Sequence, residues 1–196
     1  SGFTRPVAAG DTVDVELPPR ADPRVIRVHP RRNYLSRMHG PRQKEQVIVA
    51  NPDRVLVISS AAEPSFRPRL IDRILVAVER AGAVGVIVIN KIDLVTDRTA
   101  LLDWQQLYAR LGYAVVLASV TTGEGIEAIR ELVGAGISVA CGQSGVGKSS
   151  LLTALDPKLR LETQTISDRW GKGRHTTTSV TLHPLPNGGF IATKSK

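Results

Sequence analysis

The spacing of hydrophobic positions changes once, decisively, along this chain. In TVDVEL (residues 12–17), Val13, Val15 and Leu17 alternate with Asp14 and Glu16, the period of a half-buried strand. VIRVH (residues 25–29) predicts a second strand, and Pro18, Pro19, Pro23 and Pro30 keep both elements short. Two or three short strands are too few for an independent all-β domain. The region therefore reads as part of a small barrel whose beginning is missing. From Val47 onward the pattern differs. RVLVISS, GVIVIN, YAVVLAS and GISVAC are near-continuous apolar runs of the kind buried on both faces. Helical spacing lies between them: Leu70, Ile71, Ile74, Leu75 and Val78, ended by Gly82; Leu101, Trp104, Tyr108 and Leu111, ended by Gly112; and Ile126, Ile129 and Val133. A further helix is predicted from Lys148. This alternation predicts an α/β fold with a mostly parallel sheet, helices on both faces and right-handed crossovers. VTLHPLPNGGFIA breaks it, and two strands around Pro-Asn-Gly-Gly predict a hairpin. The expected division is residues 1–48 as a partial barrel and 49–196 as the α/β domain.

Composition narrows the classes. The 196 residues are 42% apolar and 22% charged, ordinary for a soluble globular protein. No apolar run is long enough to span a membrane, and no membrane partner is expected. Cys141 is the single cysteine, so neither a disulfide framework nor a cysteine-based zinc site is available, and a reducing cytoplasm is the expected location. Charge adds one feature. Arg20, Arg24, Arg27, Arg31, Arg32, Arg37, Arg42 and Lys44 are opposed within their stretch by Asp22 alone, a local +7 in a chain of +8. Such a field favours a polyanion such as RNA, the alternative being a solvated face. Tyr34 is the one aromatic within it, so phosphate contacts rather than base stacking are expected.

Two motifs carry chemistry. Gly142, Gln143, Ser144, Gly145, Val146, Gly147, Lys148 and Ser149 fit G-x-x-x-x-G-K-[ST] in full, between a buried strand and a helix. Glycines let backbone N–H groups turn around phosphates, Lys148 reaches the β- and γ-phosphates, the Ser149 hydroxyl ligates Mg²⁺, and the helix N-terminus adds a favourable dipole. Asn90, Lys91, Ile92 and Asp93 stand at the end of another buried strand, the edge where open α/β sheets bind ligands. The Asp93 carboxylate accepts hydrogen bonds from guanine N1–H and the 2-amino group; adenine offers neither and would leave it unpaired. ASVTTGEG follows a third strand, and its Ser119 and Val120 are placed to border the base. In an ordinary GTPase the phosphate loop precedes the guanine motif; here it follows. Strand-end loops converge whatever their chain order, so a cyclic permutation preserves the site.

This order, guanine motif, then GQSGVGKSSLL, then GKGRHTTT, resembles the circularly permuted GTPases that assist small-ribosomal-subunit maturation, the RsgA (YjeQ, EngC) family. RRNYLSR, VANPDRVLVISS and PSFRPRLIDRILVAVE extend the resemblance over nearly the whole chain. It implies a circularly permuted P-loop GTPase preceded by part of an OB-fold barrel. It also implies GTP/GDP and Mg²⁺ as ligands and the small ribosomal subunit and its rRNA as partners; a monomer is expected. GKGRHTTT matches the family's first switch. The resemblance gives Thr176, Thr177 or Thr178 as Mg²⁺ and γ-phosphate ligand, with Thr177 preferred. It suggests His175 as the group that orients the attacking water, the alternative being a surface histidine, and Arg174 is a candidate contact to phosphate or RNA.

The chain departs from the family pattern after GGFIA, where it reads Thr193-Lys194-Ser195-Lys196 instead of Asp-Thr-Pro-Gly. The zinc ligands of the family's C-terminal domain are absent from this sequence. The expectation is a trimmed chain, or residues joined across a gap, with hydrolysis impaired in the residues present. Two functional readings follow: a GTP-hydrolysing assembly factor, or a nucleotide-dependent binding module with little turnover. An ATPase or small-molecule kinase is disfavoured by Asn90 to Asp93.

Overall fold

The computed structural model describes residues 6–39, 44–159 and 180–194. Its centre is a six-stranded sheet built from the apolar runs: β5 (Arg54–Ser60), β6 (Val84–Asn90), β7 (Ala114–Leu117), β8 (Ile137–Cys141), β9 (Val180–Pro184) and β10 (Phe190–Lys194), in the order β7-β6-β5-β8-β10-β9. All neighbours are parallel except β9, which pairs antiparallel to β10. The predicted hairpin is therefore present, closed by Leu185 N–H to Gly189 O at 2.7 Å.

Alternation within each run sorts side chains onto two cores. Val55, Val57, Ile87 and Ile89 face α1 (Pro68–Arg80) and α2 (Thr99–Arg110). Leu56, Ile58, Val86 and Val88 face α3 (Ile126–Leu132) and α4 (Lys148–Leu155). Both faces are covered, which is why these strands carry no polar alternation. α1 and α2 stop by the same device: Gly82 and Gly112 enter the left-handed region, and Ala83 and Tyr113 donate back to Val78 O and Tyr108 O. In α2 this places Leu111 at the cap, exposed rather than on the predicted apolar stripe.

Two antiparallel pairs precede the sheet, as a partial OB-type barrel requires: β1 (Val13–Glu16) with β2 (Arg24–Val28), and β3 (Tyr34–His39) with β4 (Lys44–Ala50). The 48/49 boundary read from the sequence falls inside β4. The alternation expected for residues 12–17 does not survive. A bulge between Asp14 and Val15 skips Ile26, and Val15, Leu17 and Ile26 are all exposed. β3 and β4 dock on the sheet through Leu35 and Val49, which join the α1-side core. A polar joint fixes their angle: Asn33 Nδ2 donates to Gly82 O at 2.9 Å, Asn51 Nδ2 to Gly10 O at 2.8 Å, and Ile137 N–H to Asp53 Oδ2 at 2.7 Å.

Part of the basic stretch is spoken for. Arg31 grips Asp11 with two bonds, Nε to Oδ1 at 2.6 Å and Nη2 to Oδ2 at 2.7 Å, and their side chains are 12% and 1% exposed. Arg31 is thus a strut of the barrel rather than a solvent-facing cation. Arg32 pairs with Asp53 at 2.8 Å. The β1–β2 register sets Arg27 opposite Asp14 and Arg24 opposite Glu16, but the Asp14 carboxylate is engaged by His29 Nε2 at 2.8 Å, and neither arginine forms an ion pair with a described residue. The local +7 counted along the sequence overlooked acids that folding brings from outside the stretch. Arg20 is exposed, Arg42 lies outside the described residues, and Lys44 begins β4.

The Arg31 bonds hold the Asp11 carboxyl below the usual carboxylate range, against the opposing effect of burial. A depressed carboxylate stabilises the fold fully above its unfolded value, about 3.9, and that contribution is lost as pH falls through the lower folded value. Arg31→Ala is expected to cost about 2–3 kcal/mol at pH 7 and less at pH 3. Asp11→Asn is expected to flatten the acid limb of stability, read by urea melts across that range. Equal pH profiles for wild type and Asp11→Asn would show the pair to be energetically silent.

Candidate functional site

Four strand ends meet at one edge of the sheet. β8 leads through residues 142–147 into α4, and this turn is built for close backbone approach. Gly142 has φ +151°, and a Cβ there would overlap the Ile58 carbonyl of neighbouring β5. Gly147 has φ +87° and caps α4, and a Cβ there would overlap the Asn90 amide nitrogen. Lys148 is 3% exposed, and its Nζ donates to Gly142 O at 2.8 Å and to Gln143 O. The ammonium is curled over its own loop, held by carbonyls, within reach of anything the loop encloses. Ser149 is half-buried in the first turn of α4. Cys141, just beneath, is not a nucleophile: burial pushes its thiol up to about 12, against the opposing charge of Lys148.

The second wall is the end of β6. Asn90 is buried, and its Nδ2 donates to Val146 O at 2.9 Å, tying this strand to the glycine loop 56 residues later. The Asn90 Oδ1 atom is buried without a partner among the described residues. Lys91 then takes the left-handed conformation, φ +62°, and starts a single 3₁₀ turn, Ile92–Leu94. Ile92 is fully buried and anchors the turn, and its N–H bonds Ala118 O at 3.2 Å. The anchored turn presents Asp93 outward.

The third wall is the loop after β7. Ser119 is fully buried, and its Oγ donates to Asp93 Oδ1 at 2.5 Å while accepting from Thr122 N–H at 3.2 Å. The sequence placed Ser119 beside the base; the structure also makes it the post that orients Asp93. Val120 is half-buried and packs on the α3-side core. The fourth wall went unread. The loop after β5 brings Glu63 O to Lys91 Nζ and Pro64 to within 3.6 Å of the position of a Cβ on Gly145. It follows a buried parallel strand as the other three do, which was the available signal.

The donor set suits a nucleotide. Positive-φ glycines, a buried ammonium and a helix N-terminus gather on one side for phosphates, and an oriented carboxylate stands on the other for a base. Gln143, Ser144, Gly145 and Val146 complete the loop, with Val146 buried and Ser144 and Gly145 exposed. Arg174, His175, Thr176, Thr177 and Thr178 lie outside the described residues. Of the two Mg²⁺ ligands expected, only Ser149 is therefore described. No cluster of His, Cys, Asp and Glu suited to a metal occurs among the described residues, and no described helix is long and apolar enough to cross a membrane.

Known proteins match this arrangement. A sequence model described as RsgA GTPase matches residues 28–193. A protein of Gemmatimonas aurantiaca named small ribosomal subunit biogenesis GTPase RsgA is 51% identical over 167 residues, which cover 84% of this chain and 54% of that protein. One of the same name from Halalkalibacterium halodurans is 42% identical over 181 residues, covering 91% and 58%. The chain thus spans somewhat over half the length of these relatives. Among solved structures, YjeQ from Thermotoga maritima superposes with a TM-score of 0.76 at 32% identity, covering 97% of this chain and 61% of that one. YloQ, described as a circularly permuted GTPase, shares the fold at a TM-score of 0.69 and 24% identity, covering 96% and 56%.

Ser119→Ala removes the donor that orients Asp93 and is expected to weaken guanine-nucleotide binding about tenfold, read by titration calorimetry with thermal melting as the fold control. Undiminished affinity would mean that the Ile92 anchor holds the carboxylate unaided. Gly147→Ala, which drives a methyl into the Asn90 amide, is expected to weaken binding at both walls by more than that.

Proposed function

The chain belongs to the RsgA GTPase family, and from that premise we propose that it binds GTP and GDP at this four-loop edge and hydrolyses GTP during maturation of the small ribosomal subunit in the cytoplasm. The observation that carries the reading is the Asn90 bridge to Val146, which joins the base-reading turn and the phosphate loop into one site despite their permuted order.

The chain's own groups divide the work. Asp93, aimed by Ser119, accepts from guanine N1–H and the 2-amino group, while the stem of Lys91 covers the base. Lys148 exchanges the carbonyls of Gly142 and Gln143 for phosphate oxygens, a charge-assisted replacement that favours the bound form. Ser149 and Thr177 would hold Mg²⁺, which when bound neutralises charge between the β- and γ-phosphates. His175 orients the attacking water. Phosphoryl transfer then rests on positioning rather than covalent catalysis. The rRNA contact is assigned to the barrel strands, through Arg20, Arg24 and Arg27 together with Arg37.

Three measurements test this. GTP is expected to bind far more tightly than ATP, and Asp93→Asn to lose GDP affinity while gaining xanthine nucleotides, because an acceptor becomes a donor; unchanged GDP affinity would remove Asp93 from the base site. GTP turnover is expected to rise when purified small subunits are added. His175→Ala is expected to lose that rise while keeping nucleotide affinity. Tight GDP binding with no turnover in either condition would leave a nucleotide-dependent binding module instead.

A further inference from the structure

Away from the nucleotide edge, a cleft of about 1000 Å³ separates β3 from the outer face of α1. This is at the upper end of small-ligand pockets, roughly 300–1,000 Å³, but it is an open trough rather than a closed pocket. Its walls come from the two parts of the chain. β3 contributes Tyr34, Arg37 and Met38; α1 contributes Arg73, Val76 and Arg80. Tyr34, Met38 and Val76 are all exposed.

We propose that this cleft is an RNA-backbone site, gripped by Arg73 and Arg80 on one wall and completed by Arg37 and Tyr34 on the other. It deepens the rRNA contact proposed above and rests on that reading. Charge is the first argument. Two acids line the cleft: Asp53, paired with Arg32 and with Ile137 N–H, and Glu45, which accepts from the Ser36 hydroxyl at 2.7 Å and keeps its charge. Arg73 and Arg80 form no ion pair with any described residue. Of the barrel arginines, Arg31 is buried against Asp11 and Arg32 is paired with Asp53, while Arg24 and Arg27 stand opposite Glu16 and Asp14 across β1 and β2. With Arg32 offset by Asp53, Arg37, Arg73 and Arg80 outnumber Glu45, and the cleft lining is net positive.

Spacing is the second argument. Arg73 and Arg80 lie seven residues apart, two turns of helix, so they share a face about 10.5 Å apart along the axis. That length matches about three steps of a stacked strand at 3.4 Å each. At the rim of the cleft, Tyr34 offers an exposed ring for one base, and Met38 and Val76 offer exposed apolar surface. An acidic peptide would use the arginines but would leave the exposed ring and apolar side chains without planar partners. Rigidity is the third: Leu35 and Val49 in the core, and Asn33 on Gly82 O, fix the width of the trough.

The test compares the whole chain with Arg73→Glu/Arg80→Glu. The probe is a fluorescein-labelled oligouridylate of about 12 nucleotides, within the site sizes of single-strand binders, followed by anisotropy across a salt series. The expected result is about a tenfold loss of affinity at 0.1 M salt and a salt slope smaller by about 1.4, two phosphates at 0.7 each for a single strand. Arg73→Lys/Arg80→Lys is expected to keep most of the slope, and GDP affinity to stay unchanged in both, which reports folding. Tyr34→Ala is expected to lower affinity without changing the slope. Equal affinity and slope for wild type and the Glu variant would overturn the proposal. So would loss of binding to a polyglutamate peptide with RNA binding intact, which would make the cleft a peptide site. Small-subunit stimulation of GTP turnover, measured in parallel on wild type, separates this failure from failure of the proposed function: stimulation that persists leaves the family reading standing without the cleft.

Discussion

The side-chain amide of Asn90 is the tie on which the site depends. It leaves the end of β6, crosses behind the capping glycine of α4 and bonds the Val146 carbonyl at 2.9 Å. The crossing requires Gly147 to lack a side chain, Lys91 to turn left-handed immediately afterwards, and Ile92 to be buried so that the turn cannot swing out. A buried amide is worth this much constraint because leaving its donor unmade costs a full desolvation penalty. The consequence is that the base wall and the phosphate wall move as one body. The remaining Oδ1, buried without a partner among the described residues, faces the same junction.

Much of this was legible in the sequence, for a physical reason. Strands buried on both faces cannot hide: RVLVISS and GVIVIN had to be apolar throughout, and the two helix-ending glycines had to be glycine. The glycine-loop motif declared itself because backbone crowding leaves little choice at Gly142 and Gly147. What was not legible depends on partners distant in sequence. YLSRMH mixes charge with apolar residues because one face of β3 lines a cleft, so it carried no strand period, and a bulge at Leu35–Ser36 blurs it further. Ser119 was seen as a neighbour of the base, but its role as the donor to Asp93 needed the β7 loop folded beside the β6 turn. Glu63 and Pro64 were missed because a carbonyl and a ring edge act there, and neither announces chemistry.

Charge was the most misleading quantity read along the chain. A run of arginines looks like a patch only when counted in one dimension. Folding set Asp11 against Arg31 and Asp53 against Arg32, and two α1 arginines outside the run were left facing solvent across a trough. The barrel pairs and the GTPase sheet share the segment from Asn51 to Asp53, whose side chains reach Gly10 O, Arg32 and Ile137 N–H. A load applied to the barrel therefore arrives at the N-terminal ends of β5 and β8, the two strands whose far ends carry walls of the nucleotide site.

The strand order has a consequence for how such a chain is made. β5, β6 and β7 are consecutive neighbours, so this half of the sheet can pair and collect α1 and α2 before β8 is made. β8 then docks on the other side of β5, where Arg54 through Val57 have waited unpaired, and β10 covers β8 last. Until that happens β5 is an apolar edge strand, the kind of surface that recruits other chains. Permutation relocates the termini without cost to the finished site, but it moves the central strand of the sheet late in the chain. The growing polypeptide is thus most prone to aggregation in the interval between its seventh and eighth strands.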